Sequence, residues 1–97
     1  MMVVNNLLIK VKDSTGENVE KAKDVLSGLK GNIPVLLDSR VELDVHAGES
    51  PYDLMLINTF ESYEDIKTYL DHPVHIKVAQ YITGVIEKSA SLCYEVK

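Results

Sequence analysis

The residues from Asp53 to Phe60 constrain this chain more than any others. Read as an extended segment, they place Leu54, Leu56 and Phe60 on one side and Met55 and Ile57 on the other. Side chains alternate across a strand, so a strand that is apolar on both sides has to be covered on both. Val3 to Lys12 has the same character: Val3, Leu7, Ile9 and Val11 share one side, and Val4 and Leu8 lie opposite. Two such strands belong in the middle of a sheet. Val35 to Val45 differs, because Val35, Leu37, Val41, Leu43 and Val45, with Ser39 among them, point one way while Asp38, Arg40, Glu42 and Asp44 point the other. One wet, charged face is the behaviour of an edge strand. Ser91 to Val96, with Leu92, Tyr94 and Val96 on one side, reads as a last strand.

Helical spacing fills the intervals between these strands. After the turn-forming cluster Asp13-Ser14-Thr15-Gly16, the residues Val19, Ala22, Val25, Leu26 and Leu29 form one stripe of a helix over Glu17–Lys30, with Gly31 at the expected left-handed cap. Its polar residues Glu17, Glu20, Lys21, Lys23 and Asp24 make a solvated face. Gly48 to Pro51 reads as a loop. Ser62 is placed to cap a short helix, with Asp65 three residues on, that buries Ile66, Tyr69 and Leu70. Pro73 must interrupt it: proline donates no backbone N–H and disfavours helix at the residue before it, so the helix carrying Tyr69 ends near Asp71 or His72. Proline is tolerated in a first turn, so a second helix can begin at once, carrying His75 and the stripe Val74, Val78, Tyr81, Ile82 and Val85.

The order is β-α-β-β-α-β, an α+β, ferredoxin-like arrangement with a four-stranded antiparallel sheet whose first and third strands are central. Helices on one face leave the other face of those strands uncovered, and a second copy of the chain, sheet against sheet, is the simplest cover. A chain of 97 residues is expected to form a single domain over 1–97. The formal net charge of -5 and the scattering of its ten basic residues argue against nucleic acid or an anionic membrane as partner. Nothing resembles a signal peptide or a bilayer-spanning run, so a cytoplasmic location is expected. Cys93 is the only cysteine, which rules out an intrachain disulfide and a thiolate zinc site and suggests a small buried hydrophobe.

Several segments together resemble the stress-responsive A/B barrel (Dabb) domains of the dimeric α/β-barrel superfamily. They are Leu7-Leu8-Ile9-Lys10-Val11-Lys12, Tyr52-Asp53-Leu54, Phe60-Glu61-Ser62 and, most specific, Tyr69-Leu70-Asp71-His72-Pro73-Val74-His75. The last resembles the family's Tyr-x-x-His-Pro-x-His signature. The resemblance implies a homodimer whose two sheets close into a barrel with helices outside. In plant polyketide cyclases of the family, a tyrosine and a histidine of this signature serve an intramolecular aldol condensation, which carries over to Tyr69 and His75. Those cyclases also have a histidine in the opening strand, where this chain has Asn5 or Asn6.

Chemistry at the helix break is therefore expected from Tyr69 and His75. An imidazole can take a proton alpha to a carbonyl, and a phenol can donate a hydrogen bond to the enolate oxygen formed. No cofactor fingerprint or phosphate loop is present, and no cofactor or metal is expected. Asp71, His72 and His75 are the one set with the chemistry of metal ligands, but the proline disturbs their helical spacing. His72 is expected to be extended, its ring bonded to a neighbouring carbonyl, and His46 to be solvated. The functional expectation is a small-molecule pocket near His75, with cofactor-free acid–base chemistry on a carbonyl or polyketide-like compound. The alternative is a protein that binds without turnover or serves a structural, stress-related role.

Overall fold

The computed structural model describes residues 2–46 and 49–96. Along the chain run β1 (Met2–Val11), α1 (Gly16–Ser27), β2 (Leu36–Leu43), β3 (Leu54–Phe60), α2 (Tyr63–Asp71), α3 (Pro73–Val85) and β4 (Ile86–Val96). The strands form one antiparallel sheet in the order β2-β3-β1-β4, so the two strands that are apolar on both sides are indeed central. All three helices lie on one face. Between them and the sheet sits the core of Ile9, Val11, Ala22, Leu26, Leu29, Ile33, Leu36, Leu54, Leu56, Phe60, Tyr69 and Ile82.

Strand register assigns the other face. Leu8 pairs with Met55 and Ala90, Asn6 with Ile57 and Leu92, Val4 with Thr59 and Tyr94, and Met2 with Val96. These residues share the side away from the helices, and Leu92 there is 68% exposed, with Met2, Tyr94 and Val96 also open. Near the middle of this face the side-chain oxygen of Asn6 is occluded and has no hydrogen-bond partner within the subunit.

Local chemistry accounts for the boundaries that differ from expectation. Leu37 is 49% exposed and Leu36 is buried, the reverse of a simple alternation, because the register between β2 and β3 shifts between Leu36 and Asp38. The extra residue of a bulge puts Leu36 and Ser39 on the same inward face despite their spacing of three. Strand β2 stops at Leu43, and Val45 beyond it is exposed. Helix α1 ends at Ser27 rather than Lys30. The chain then tightens into turns bonded from Gly28 to Val25 and from Leu29 to Leu26, which still bury Leu29. Gly31 does adopt a left-handed conformation, at φ 79°, inside this turn region. Ser62 occupies the N-cap position of α2, but its side chain makes no capping bond. Leu70 is exposed rather than buried. Strand β4 begins at Ile86, directly after α3, and its residues from Glu87 onward are exposed. Cys93 is consequently exposed and not a core residue. Of the Gly48–Pro51 loop, Gly48 lies outside the described residues, and Glu49–Pro51 form neither helix nor strand.

Asp53 ties the strand ends together. Its buried carboxylate accepts from the backbone N–H of Val11 at 2.8 Å and the hydroxyl of Ser14 at 2.9 Å, and it pairs with Lys10 Nζ at 3.4 Å. Its own N–H donates to the carbonyl of Ile9 at 2.9 Å. One side chain thus pins the end of β1, the turn into α1 and the start of β3. Hydrogen bonds to charged groups contribute about 1.5–3 kcal/mol each, and removing the acceptor leaves the Val11 donor unpaired. Replacing Asp53 with Ala should therefore lower the unfolding free energy by about 2–3 kcal/mol. Urea titration of the variant beside the parent measures this, and a loss below half a kcal/mol would contradict the assigned role.

Candidate functional site

Helices α2 and α3 meet at His72, which is extended (φ -72°, ψ 137°) as the residue before a proline must be. Its ring does not bond a carbonyl. Nδ1 accepts from the backbone N–H of Val74 at 3.1 Å, making the imidazole an N-cap of α3 in place of the usual hydroxyl or carboxylate. Because that nitrogen accepts, the neutral ring carries its proton on Nε2. His72 is a cap.

His75 has the opposite tautomer. Its Nδ1 lies 3.0 Å from the carbonyl oxygen of Leu70, in the last turn of α2. A carbonyl can only accept, so Nδ1 bears the proton and donates it, satisfying one of the orphan carbonyls at a helix C-terminus. In the neutral ring, Nε2 keeps its lone pair. The two histidines therefore stitch the junction from both sides, and only His75 is left with a basic nitrogen outside the stitch.

The Tyr69 ring sits against both neighbours expected of a core aromatic and of a site residue. It meets Phe60 edge-on with centroids 5.1 Å apart and lies against the His75 ring at 4.5 Å. Tyr69 and His75 are thus brought together, as their places on either side of the break suggested. The hydroxyl of Tyr69 faces the sheet, where Asn58 Nδ2 donates to it at 3.1 Å, and Ser39 Oγ donates to Asn58 Oδ1 at 2.6 Å. Burial pushes the Tyr69 phenol up from 10.0 to about 12, against a smaller opposing pull from the Asn58 bond. At neutral pH the group is a protonated phenol, whose oxygen accepts from Asn58 and whose own proton is not engaged in that bond.

Sequence reasoning missed Asn58 and weighed Ser39 only as a member of a core face. The available signal was a polar residue at an inward period-two position: Asn58 follows Leu54 and Leu56 and precedes Phe60, all inward. Register extends the pattern across the sheet. Ser39 pairs with Asn58, Asn58 with Asn5, and Asn5 with Cys93, a polar row between the apolar rows Leu36–Phe60–Val3 and Val41–Leu56–Leu7. Asn5 is therefore the opening-strand asparagine on the helix side, and Asn6 is on the open face.

An open groove of about 380 Å³ runs beside His75, lined by Leu70, His75, Ile76, Ala79, Gln80 and Thr83. Tyr69 does not line this groove. Asp71, His72 and His75 do not converge as ligands, and no group of three His, Cys, Asp or Glu side chains among the described residues is placed to hold a metal ion. His46 is exposed after β2, paired with Asp44 Oδ1 at 2.9 Å. Among the described residues no helix is long and apolar enough to cross a membrane.

The raised Tyr69 value carries a stability consequence with a definite sign. The unfolded chain loses this proton near pH 10 and the folded chain only near 12, so folding is fully favoured below 10 and loses support as pH rises toward 12. One pH unit of difference corresponds to about 1.4 kcal/mol, so about 2–3 kcal/mol should disappear across that window. Denaturant unfolding at pH 9 and pH 11.5 should show a steeper decline for the parent than for Tyr69→Phe. Equal declines would remove Tyr69 as the buried titrating group.

Comparison with known proteins agrees with this architecture. A structure of a dimeric protein of unknown function and ferredoxin-like fold from Bacteroides fragilis superposes with a TM-score of 0.82 at 25% identity, covering 98% of this chain and 96% of that one. The Arabidopsis thaliana protein At3g17210 gives 0.83 at 26% identity, over 98% and 95%. A hydroxynitrile lyase from Passiflora edulis gives 0.83 at 15% identity, over 99% and 94%, a likeness of fold alone. A search of curated proteins finds no match. The profile of the stress responsive A/B barrel domain matches residues 5–96, and the chain belongs to that family.

Proposed function

We propose that this chain works as a homodimer closed sheet against sheet, and that the helix junction carries a small-molecule site. At that site His75 and Tyr69 perform acid–base chemistry, without a cofactor, on a carbonyl compound of the polyketide kind. The observation that carries the chemistry is the fixed tautomer of His75: Nδ1–H is held by the Leu70 carbonyl, which leaves Nε2 as a ready base beside a phenol that burial keeps protonated. A base that removes an α-proton and a donor that meets the resulting enolate oxygen are the two groups enolisation needs. The electron pair of the broken C–H bond moves into the enolate, and the proton resides on the His75 ring until it is returned or exchanged. That a hydroxynitrile lyase shares the fold is a consistent analogy and no more.

The dimer reading is supported by the open apolar face and by structural neighbours described as dimeric. Burying a Leu, Met or Ile side chain is worth about 1.5–3 kcal/mol, so a face holding Met2, Leu8, Met55, Ile57 and Leu92 has ample drive to associate. The occluded oxygen of Asn6 on that face is a further group an opposing subunit can accommodate. Sedimentation should find a dimer for the parent and a monomer for Leu92→Lys. A parent that is monomeric at micromolar concentration would end the barrel reading.

A second reading, binding without turnover, is favoured by one observation: the groove beside His75 is open, and Tyr69 is not in its lining. Hydrogen–deuterium exchange at the α-carbon of ethyl acetoacetate, followed by NMR, separates the two. Catalysis predicts exchange above the buffer rate that falls by about 10²–10⁴-fold in His75→Ala. Binding alone predicts thermal stabilisation by β-keto or phenolic ligands that survives His75→Ala, with no exchange above buffer in either protein.

A further inference from the structure

The buried Ser39–Asn58–Tyr69 chain lies outside what the acid–base reading has used. We infer that Asn58, backed by Ser39, is a positioning residue that fixes the Tyr69 phenol as a hydrogen-bond donor toward a ligand oxygen. This rests on the reading of Tyr69 and His75 as the reactive pair and adds to it the residue that sets the direction of the phenol's proton.

The orientation of the Asn58 amide sets the order of the chain. The Ser39 hydroxyl donates to Asn58 Oδ1 at 2.6 Å, and that amide oxygen can only accept. The amide is therefore turned so that Nδ2, which can only donate, faces Tyr69 Oη at 3.1 Å. The phenol has one proton, and with Asn58 already donating to the oxygen, that proton is directed elsewhere. Ser39 is 4% exposed and Asn58 1%, so the arrangement is out of reach of bulk water. Plain packing offers no reason for it. The equivalent inward positions on either side of Asn58 are Leu56 and Phe60, and an apolar residue there would avoid the cost of burying an amide. The polar row also continues along the helix face of the sheet through Asn5, half-buried, to Cys93, exposed on the edge strand β4.

The test uses Asn58→Leu, Asn58→Asp and Ser39→Ala, each alone and in a Tyr69→Phe background, with folding checked by circular dichroism and thermal melting. Asn58→Leu removes the donor, and Asn58→Asp offers the phenol an acceptor and reverses the bond. In the ethyl acetoacetate exchange assay, Tyr69→Phe and Asn58→Leu should each reduce the rate by about 10²-fold, the scale of losing one oxyanion donor. Asn58→Leu should have no further effect once Tyr69 is Phe. Restoration of the parent rate is expected only with asparagine or glutamine at this position. Exchange at the parent rate in a folded Asn58→Leu protein, or effects of Asn58→Leu and Tyr69→Phe that multiply, would overturn the inference while leaving His75 as base.

A second readout works without turnover. The tyrosine Raman doublet, taken as the difference between each protein and its Tyr69→Phe counterpart, reports whether the phenol oxygen accepts or the phenol donates. The parent should show acceptor character, Asn58→Leu should lose it, and Asn58→Asp should convert it to donor character. If the parent shows no exchange above buffer, the acid–base reading fails, and the doublet alone judges the relay. An unchanged doublet in both Asn58 variants overturns it.

Discussion

Strands β1 and β3 carry apolar side chains on both faces, and within the chain only one of those faces is covered. This mismatch organises the rest of the molecule. With β1 and β3 in the centre, β2 and β4 must take the edges, and each edge is reached by a connection that passes over a central strand. The connection through α1 joins β1 to β2 across β3, and the connection through α2 and α3 joins β3 to β4 across β1. Both carry their helices to the same face, as split βαβ units do, and among the described residues no element covers the other. The description of structural neighbours as dimeric fits this requirement.

The connection over β1 is the longer one, and its break at Pro73 concentrates unusual chemistry in one place. A proline between two helices leaves carbonyls unpaired behind it and N–H groups unpaired ahead of it. The chain meets both needs with imidazoles: His72 accepts from Val74, and His75 donates to Leu70. Capping accounts for the presence of two histidines without any reaction. What capping does not account for is the difference between them. His72 presents an N–H on its remaining nitrogen, whereas His75 presents a lone pair, and it is His75 that lies against the Tyr69 ring. In His75 the nitrogen that serves the cap and the nitrogen that keeps a lone pair are thus different atoms of the same side chain.

Most of the fold was legible because it rests on alternation and on punctuation. Period-two patterning located β1 and β3, and Pro73 placed the end of α2 and the start of α3 within a residue of where they lie. The failures share a cause: each sits where neighbouring strands, not local pattern, decide the conformation. The bulge at Leu36–Asp38 shifts the inward phase of β2 by one residue, which no propensity of Leu36 or Leu37 encodes. The first half of β4, Glu87-Lys88-Ser89-Ala90, has no apolar alternation because it is an edge with little to bury, so only its pairing to β1 defines it. Cys93 looked like a core residue by type, yet it stands on that same edge. At the helix break, the nearness of Tyr69 and His75 was legible from sequence, but the histidine tautomers were not, because they depend on which backbone group each ring meets.

Asn58 shows the same limit from the functional side. A lone asparagine among inward leucines is ambiguous in a sequence, since it can be a bulge, a misassigned face or a buried amide. Register resolves it by placing Ser39 on one side and Asn5 on the other and by bringing the phenol of Tyr69 above it. A buried amide that is fully engaged costs little, whereas one with an unpaired donor or acceptor costs about 1–3 kcal/mol. Ser39 and Tyr69 between them engage both ends of Asn58. The phenol proton is not consumed by the other two members, and one amide N–H of Asn58 is likewise left over. A core assembled only for stability has no need of a phenol proton kept dry beside the His75 ring, whereas the proposed stabilisation of charge developing on a carbonyl oxygen would use one.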